Sequence, residues 1–233
     1  MTSEAETKSK YQIDRDSEKP IRSYPLKRVS DILVSLFLLP PTAIIYLFVA
    51  LMIKITDPHG PVIFKQRRVG KNGREFDFYK FRSMAVNNDD SRHKEYIKHF
   101  IDGNEEELKR IQGEAEIYKL TDDNRVTPIG KFLRKTSLDE LPQLINVLRG
   151  DMSMVGPRPH LPYEVEMYKP WHRRRLSGTP GITGIWQLYG RSKVPFDESV
   201  SMDIWYLEHQ SLKLDLEIIF RTFVKIFGDE GAC

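Results

Sequence analysis

The strongest pattern along the chain is an uncharged apolar run over residues 32–53, ILVSLFLLPPTAIIYLFVALMI. A straight helix of this length, at ~1.5 Å per residue, just covers the ~30 Å hydrocarbon core of a bilayer. A soluble helix of that length normally carries a polar edge, which this run lacks. We therefore expect a membrane helix here, and a buried helix of a soluble core is the alternative.

Two features favour a helix that enters the membrane and returns over one that spans it. Pro40 and Pro41 lie near the middle of the run, where each removes a backbone donor and crowds the preceding turn, so we expect a break there. Basic residues flank both ends of the run: Arg22, Lys27, Arg28, Lys54, Lys65, Arg67 and Arg68. Because Lys and Arg mark the cytosolic side of a membrane segment, neither end looks external. A kinked but complete span is the alternative.

After the apolar run the pattern changes to short β-like stretches and amphipathic helices. Residues 62–64 and 76–81, with Asn72-Gly73 between them, predict a β-hairpin. The charged stretch 87–123 carries apolar residues at helical spacing, interrupted at Asp102-Gly103-Asn104, and predicts two surface helices.

Three further segments complete the reading of the soluble part. A helix is expected from Thr127-Pro128 to Thr136, and an amphipathic helix over 212–227, either on the membrane surface or packed on the core. Frequent proline and glycine predict extended loop from Gly150 to Gly190, where functional residues often lie.

Composition narrows the choice of function. Lys and Arg number 36 against 33 Asp and Glu, and a net charge of +3 is too small to require a nucleic-acid partner. The single cysteine, Cys233, excludes an internal disulfide and a Cys-based zinc site. Such cysteine usage fits a reducing compartment, so we expect the protein on the cytosolic side, with no nucleic acid bound.

The octet from Ser137 to Leu144, SLDELPQL, contains an adjacent carboxylate pair, Asp139 and Glu140. One interpretation is a helix start in which Ser137 and Glu140 form a capping box. It leaves Asp139 unassigned, and Pro142 argues for a later start or a bend. In either case the helix dipole favours ionised carboxylates, and an ionised aspartate can ligate magnesium or attack phosphorus.

A second element is Gly156-Pro157-Arg158-Pro159, in which prolines fix the backbone on both sides of an arginine. A guanidinium held this way suits a diphosphate, which it grips through paired hydrogen bonds. A rigid turn with an incidental arginine is the alternative. Lys80, Arg82 and Arg134 supply further cations, and residues 172–175 (HRRR) predict a basic surface near anionic lipid.

Together these residues resemble a known family, the monotopic phosphoglycosyl transferases, also called bacterial sugar transferases. The matching motifs run in the family's order between Lys27 and Phe227. They are Lys27-Arg28 with Asp31, Gly60-Pro61-Val62, residues 79–84 (YKFRSM), residues 137–144, residues 150–153 (GDMS), residues 155–159 (VGPRP), residues 180–184 (PGITG) and Gly190-Arg191.

The resemblance implies a ping-pong reaction that uses Mg²⁺. Asp139 would attack the β-phosphate of a UDP-sugar, release UMP and hold the sugar phosphate until polyprenyl (undecaprenyl) phosphate collects it. Glu140 would act as a base or as a neighbour of the metal, which Asp139 binds. Substrate-binding positions carried over from the family are Lys80, Arg82, Arg134, Arg158, Arg191 and Asp215.

The resemblance also implies a place in the cell and in metabolism. The enzyme would lie in the bacterial inner membrane, in contact with its lipids and with its catalytic domain on the cytoplasmic face. It would initiate capsule, exopolysaccharide or O-antigen synthesis, with a hexose such as galactose or glucose, or an N-acetylated amino sugar, as the transferred group. A catalytically idle membrane-surface scaffold is the competing function, which leaves the combination of Asp139, Glu140 and Arg158 unexplained.

Two departures from the family pattern stand out. Relatives usually carry a Ser-Pro break at the position of Ala43-Ile44, about one turn after Pro40-Pro41. The charged stretch 87–123 is longer than in the smallest members, and its role is open between a lid and a contact in a homo-oligomer.

The predicted fold is α+β: a mostly helical, membrane-associated catalytic domain with a small β-hairpin, a re-entrant membrane helix and amphipathic surface helices. Residues 1–26 are assigned to a polar, disordered tail and 27–57 to the re-entrant helix. Residues 58–227 form the catalytic domain, with 87–123 as a charged helical insertion, and 228–233 form a second tail.

Overall fold

The computed structural model describes residues 11, 13, 15, 19–21, 23–85, 91–112, 125–190 and 194–227. Its helices are α1 (Lys27–Thr56), α2 (Ser91–Asp102), α3 (Glu105–Gln112), α4 (Pro128–Lys135), α5 (Gln143–Arg149), α6 (Pro162–Glu166), α7 (Phe196–His209) and α8 (Leu212–Phe227). Its strands are β1 (Ile63–Val69), β2 (Glu75–Phe81), β3 (Ser153–Val155) and β4 (Gly181–Thr183). β1 and β2 pair antiparallel and β3 and β4 pair parallel, so the described chain is mostly helical with two small sheets, consistent with the predicted α+β class.

Helix α1 contains the apolar run. Among the described residues it is the one helix long and apolar enough, by length and composition, to cross a membrane. Its 30 residues correspond to about 45 Å of helix at ~1.5 Å per residue. Large apolar side chains along its middle are exposed, with Phe37 at 79%, Ile44 at 75% and Leu47 at 74%. The surface of this segment is thus apolar and uncovered by the rest of the protein.

The N-terminal end of α1 is fixed to the domain by polar contacts. Lys27 donates to the carbonyl oxygen of Val155 in β3 at 2.9 Å. Asp31, one turn later, accepts hydrogen bonds from the Ser153 hydroxyl and the Met154 backbone N–H, each at 2.9 Å. Arg28 donates to the carbonyl oxygens of Val147 and Leu148 in the last turn of α5.

The C-terminal end of α1 contacts the same domain through apolar side chains. Val49 and Ile53 are buried in a cluster with Phe81 of β2 and Leu133 of α4. The ring of Tyr46 lies 4.4 Å from that of Phe81, measured between centroids. Both ends of α1 therefore pack on one domain, while its middle does not.

The structure has one continuous helix across Pro40 and Pro41, so these prolines do not interrupt α1 as the sequence predicted. Thr42, next to them, donates its hydroxyl to the carbonyl oxygens of Leu38 and Leu39 at 2.8 and 3.0 Å. Back-bonding of this kind from a threonine hydroxyl often accompanies a bend in a helix. A bend between the two halves of α1 stays a prediction.

The β-hairpin is confirmed, with a longer connection than a two-residue turn. Ile63 pairs with Phe81 and Val69 with Glu75, and residues 70–74 join the strands. Asn72 and Gly73 both have positive φ, 56° and 77°, as this dipeptide predicts.

The two predicted surface helices within 87–123 are α2 and α3, separated at Gly103 with φ 72°. Tyr96, Phe100 and Leu108 are buried in a cluster with residues of α7 such as Phe196. The described part of this segment therefore packs on the core; residues 86–90 and 113–124 lie outside the described residues.

The segment from Gly150 to Gly190 is more regular than the extended loop predicted for it. Pro162 and Pro170 each begin a short helix, α6 and a 3₁₀ helix over Pro170–Ser177. Proline suits the first helical turn, where its missing N–H would have no partner, so here it starts helices. The strands β3 and β4 have three residues each, too few for their alternation to be seen in the sequence.

The basic run at 172–175 is not the surface patch predicted for it. His172 and Arg175 are buried, and Arg174 pairs with Glu208 at 2.7 Å. The Arg175 guanidinium forms a buried ion pair with Asp203. A run of like charges is usually solvated, but here the 3₁₀ helix turns His172 and Arg175, which lie one turn apart, into the core.

The lowered pKa of His172, one member of this run, leads to a prediction of how stability depends on pH. Its Nδ1 accepts the Lys169 backbone N–H at 3.2 Å, so Nε2 carries the proton and donates to Asp197 at 3.0 Å. Burial lowers the pKa of His172 from 6.5 to about 4, although Asp197 acts in the opposite direction. Between these values the unfolded chain binds a proton that the folded chain does not, so the free energy of unfolding should decrease as the pH falls. In detergent, the melting temperature of the wild type should fall further between about pH 7 and about pH 5 than that of His172→Gln; equal decreases would contradict this assignment.

Candidate functional site

Asp139 and Glu140 lie on a tight turn between α4 and α5. Ser137 has φ 56° and no side-chain capping bond, and a 3₁₀ turn over Leu138–Glu140 follows it. Helix α5 begins only at Gln143, after Pro142. The capping box predicted for Ser137 and Glu140 is therefore wrong, and the later helix start that Pro142 suggested is confirmed.

Two cations lie against this carboxylate pair. The Lys80 ammonium, from β2, is 3.1 Å from Glu140 Oε1 and 3.7 Å from Asp139 Oδ2. The Arg158 guanidinium is 3.5 Å from the same Glu140 oxygen. The side chain of Asp139 is 8% exposed and that of Arg158 30%, so the cluster is buried on the Asp139 side and open beside Arg158. Residues from three distant parts of the sequence thus meet as the motifs predicted.

The two carboxyl groups differ in their electrostatics. Burial raises the pKa of Asp139 above its ordinary value, against the opposing effect of Lys80. Burial also acts to raise the pKa of Glu140, but Lys80 and Arg158 outweigh it, and that pKa is lowered. The effect expected from a helix dipole is not the dominant one at Asp139, because α5 begins only at Gln143 and burial raises the pKa there. Glu140 is held as the anion by its two cationic neighbours.

Arg134 is an exposed residue whose charge acts on the cluster. It sits in the last turn of α4, and its Nε donates to the Ser83 hydroxyl at 3.0 Å. Its charge acts to lower the pKa of Asp139, so it is electrostatically close to that carboxyl. Close packing fixes α4 here, since a Cβ added at Gly130 would lie 1.9 Å from the Ser83 carbonyl oxygen.

Two arginines that the sequence motifs did not indicate, Arg68 and Arg175, donate hydrogen bonds to the backbone of the loop that carries Arg158. Arg68 donates to the Pro159 carbonyl oxygen at 3.0 Å, and Arg175 to the Arg158 carbonyl oxygen at 3.5 Å. Gly156 and Gly181 pack backbone against backbone, where a Cβ on Gly181 would lie 2.0 Å from the Gly156 nitrogen. The Arg158 side chain is therefore presented from a fixed backbone. A buried arginine cannot be told from a solvated one by its sequence neighbours, so no signal distinguished Arg175.

Three sequence-predicted residues are not part of this cluster as described. Arg82 contacts Asp57 at the end of α1, with 2.7 Å to its carbonyl oxygen and 3.3 Å to its carboxylate. Asp215 pairs with Lys27 at 2.5 Å and accepts the Tyr206 hydroxyl at 2.6 Å. Both contacts attach α1 to the domain, and substrate binding by Arg82 and Asp215 stays a prediction. Arg191 lies outside the described residues.

The donor set determines which metal the cluster suits. Within the described ranges, no three His, Cys, Asp or Glu side chains gather closely enough to hold a metal ion by themselves. Mg²⁺ usually keeps several waters and binds through one or two carboxylates together with substrate phosphates. Asp139 and Glu140 supply such carboxylates, with two cations beside them. The residues fit a magnesium ion that binds together with a diphosphate, rather than a metal held by the protein alone.

Comparison with known proteins decides the family. The bacterial sugar transferase family matches residues 22–229, which include every element of the site. The chain belongs to this family. The resemblance to phosphoglycosyl transferases read from the motifs is thereby confirmed.

Three relatives indicate how this sugar transferase compares with characterised chains. It is 45% identical over 207 residues to "Galactosyl transferase CpsE" of Streptococcus agalactiae, covering 88% of this chain and 43% of the relative. It is 41% identical over 207 residues to "Undecaprenyl-phosphate galactose phosphotransferase" of Salmonella typhimurium, covering 89% and 41%. It is 37% identical over 206 residues to "Exopolysaccharide production protein ExoY" of Sinorhizobium fredii, covering 88% and 87%. The chain thus spans about two fifths of the length of the first two relatives and most of the third.

Arg158 should serve substrate binding more than folding, because its carbonyl oxygen, and not its guanidinium, is held by Arg175. In Arg158→Lys the ammonium cannot reproduce the paired contacts of a guanidinium. We expect UMP release from a UDP-sugar to fall by ~10² or more and the melting temperature to change little.

The matched control is Arg67→Lys. Arg67 pairs with Glu75 and Asp77 on the exposed face of the hairpin, so the same chemical change there should leave activity intact. An Arg158→Lys variant as active as Arg67→Lys would show that Arg158 does not bind the diphosphate through paired hydrogen bonds.

Proposed function

We propose that this sugar transferase moves a sugar-1-phosphate from a UDP-sugar to undecaprenyl phosphate and releases UMP. The observation that carries the proposal is the buried Asp139 beside Glu140, with Lys80 and Arg158 within 4 Å of the pair. Two carboxylates alone would repel a diphosphate, and the cations make the site able to bind one. Relatives named for galactosyl transfer and for undecaprenyl-phosphate galactose phosphotransfer support the reaction class.

In the first half-reaction a carboxylate oxygen of Asp139 attacks the β-phosphorus of the UDP-sugar. The bond from that phosphorus to the bridging oxygen breaks, and UMP leaves with the bridging oxygen and its electron pair. The sugar phosphate is now joined to Asp139 as an acyl phosphate. Burial of Asp139 suits this role, because a poorly solvated carboxylate needs less desolvation before it attacks.

The cations neutralise the charge that passes to the leaving UMP. Lys80 and Arg158 contact Glu140 in the structure and would turn to phosphate oxygens, and the charge of Arg134 acts on Asp139. Asp139 and Glu140 would hold the magnesium ion, which supplies further charge neutralisation on the diphosphate when bound.

In the second half-reaction a phosphate oxygen of undecaprenyl phosphate attacks the same phosphorus. The bond to Asp139 breaks, which restores the carboxylate and gives undecaprenyl diphosphate sugar. Lys80 and Arg158 lower the pKa of Glu140 and keep it an anion; when these cations turn to phosphate oxygens, Glu140 becomes a stronger base and can accept a proton from an incoming phosphate monoanion. A covalent intermediate lets one site serve a soluble donor and a membrane-bound acceptor in turn.

Asp139→Asn tests the nucleophile, because it keeps the shape of the side chain and removes the attacking charge. We expect loss of UMP release by ~10³-fold or more and loss of covalent labelling by a UDP-sugar that carries ³²P in its β-phosphate. Glu140→Gln should retain labelling and fail at turnover if Glu140 acts in the second half-reaction. The measurements are UMP release and mass spectrometry of the labelled peptide, and a labelled Asp139→Asn protein would refute the assignment.

For the sugar, we propose a hexose, and UDP-galactose is the first donor to test because two relatives are named for galactose. A panel of UDP-sugars with undecaprenyl phosphate and magnesium gives the answer. The same panel separates the enzyme from an inert membrane scaffold, which would release no UMP from any donor.

We further propose that the product starts the assembly of an exopolysaccharide, capsule or O-antigen, in line with the relative named for exopolysaccharide production.

We propose that α1 is re-entrant and that the domain lies on the cytoplasmic face of the inner membrane. Both ends of α1 contact this domain, through Lys27 and Asp31 at one end and Ile53 at the other. A domain of this size lies on one side of a bilayer, so contacts at both ends favour a helix that returns to its starting face. The basic residues at both ends support a cytosolic position for that face.

Helix α8 provides a second apolar surface next to α1. Leu212, Leu216 and Ile219 of α8 line a small cleft together with Val34 of α1. Further along α8, Phe220 is 69% exposed, and the buried Ile218 faces the core. From the sequence, this helix could lie on the membrane surface or pack on the core. One face of α8 packs on the core, and we propose that its exposed face lies in the membrane interface.

Single cysteines at Ser23 and Thr56 test the topology in a Cys233→Ser background. Both positions are exposed and flank α1. An impermeant thiol reagent added to intact cells should label neither, and both should react in inverted membrane vesicles. Labelling of one position alone in intact cells would establish a complete span.

A further inference from the structure

Asn146 of α5 makes two hydrogen bonds to the backbone of β2. Its Oδ1 accepts the Tyr79 N–H at 3.1 Å, and its Nδ2 donates to the Asp77 carbonyl oxygen at 2.7 Å. The residue is fully buried. A buried amide with both ends paired is a specific contact, because neither end can be turned to water.

The Asn146 side chain occupies the edge of β2 at which a third strand would otherwise pair. Successive residues of a strand direct their backbone groups to alternate sides, and β1 pairs with one side of β2. The Tyr79 N–H and the Asp77 carbonyl both lie on the other side, where the Asn146 side chain presents one acceptor and one donor. The amide therefore fixes the distance between α5 and β2, and it also fixes the position of α5 along the strand.

This contact joins the two elements that carry the site. Lys80 directly follows Tyr79 on β2, while the turn with Asp139 and Glu140 leads into α5 after Pro142. The 3.1 Å separation between the Lys80 ammonium and Glu140 thus depends on how β2 sits on α5.

We propose that Asn146 is a positioning residue that, through the edge of β2, sets the place of the Lys80 ammonium relative to Asp139 and Glu140. The inference deepens the proposed function and rests on it for its effect on turnover. It assigns a role in the reaction to a residue that touches no reacting atom.

The side chain can be tested apart from the backbone of the same residue. The Asn146 carbonyl oxygen accepts the N–H groups of Gly150, Asp151 and Met152, the three residues of this segment that follow α5. These bonds remain in any substitution. Asn146→Leu keeps the branching at Cγ and removes the amide, and the smaller Asn146→Ser is the second variant should the larger leucine prevent folding.

The experiment is a double-mutant cycle with Lys80→Gln, measured as kcat/KM for UMP release. We expect ~10-fold loss for Asn146→Leu, ~10²-fold for Lys80→Gln, and for the double variant about the same loss as Lys80→Gln alone. Val147→Ala is the control, since Val147 is a fully buried neighbour on α5 whose contacts are apolar. Its effect should multiply with that of Lys80→Gln, and multiplication for Asn146→Leu as well would overturn the inference.

Hydrogen exchange at the Tyr79 amide gives a readout that does not depend on turnover. It should become faster in Asn146→Leu and not in Val147→Ala, once the difference in overall stability is taken into account. Unchanged exchange in an active protein overturns the positioning role. A wild type that releases no UMP, together with faster exchange in Asn146→Leu, overturns the proposed function while the contact between α5 and β2 stands.

Discussion

The ion pair between Lys27 and Asp215 joins the apolar helix to the domain, and the placement of the site depends on it. Both side chains are at least nine-tenths buried, so removing either partner would leave an unmatched charge at a cost of roughly 3–5 kcal/mol. Lys27 also donates to the carbonyl oxygen of Val155, the last residue of β3. The chain runs from there through Gly156 and Pro157 to Arg158. One buried ammonium thus connects α1, α8 and the loop that presents a cation to the site.

The two cations of the site, Lys80 and Arg158, can exchange one anionic partner for another. Glu140 accepts from both Lys80 and Arg158, so each cation already has a counter-ion and is held in place. A diphosphate would take over the same donors, and less rotamer freedom would be lost on binding because the cations are already ordered. Asp139 contacts Lys80 at a longer distance and is more deeply buried than Glu140. The two adjacent carboxyl groups are thereby given different properties: one holds the cations, and the other stays available to phosphorus.

The sequence predicted correctly those helices and strands whose residue pattern has a single local cause. The hairpin, the helices on both sides of Gly103 and the helix from Thr127 follow from periodicity and turn residues, and ordered motifs identified Lys80, Asp139 and Arg158. It misled where burial decides: Arg175 and His172 look like a solvated run, and Pro162 starts a helix in a stretch that reads as loop. Asn146 had a weak signal, a polar residue among the apolar positions of α5, but its partner on β2 is 67 residues away. The partners of a buried polar group depend on the tertiary fold, which local periodicity does not contain.

The alternation of β2 links the membrane helix to the chemistry. Successive side chains of a strand point to opposite faces, so Phe81 and Lys80 cannot share one. Phe81 packs on Ile53 and Tyr46 of α1, and Lys80 faces the carboxylates. The site therefore lies one strand thickness from the end of the apolar helix. In the proposed reaction the acceptor phosphate is fixed at the membrane surface by its lipid and cannot travel far from the bilayer, so Asp139 has to lie within its reach. The packing of the hairpin on the C-terminal end of α1 supports such a position, because it keeps the site close to the apolar helix.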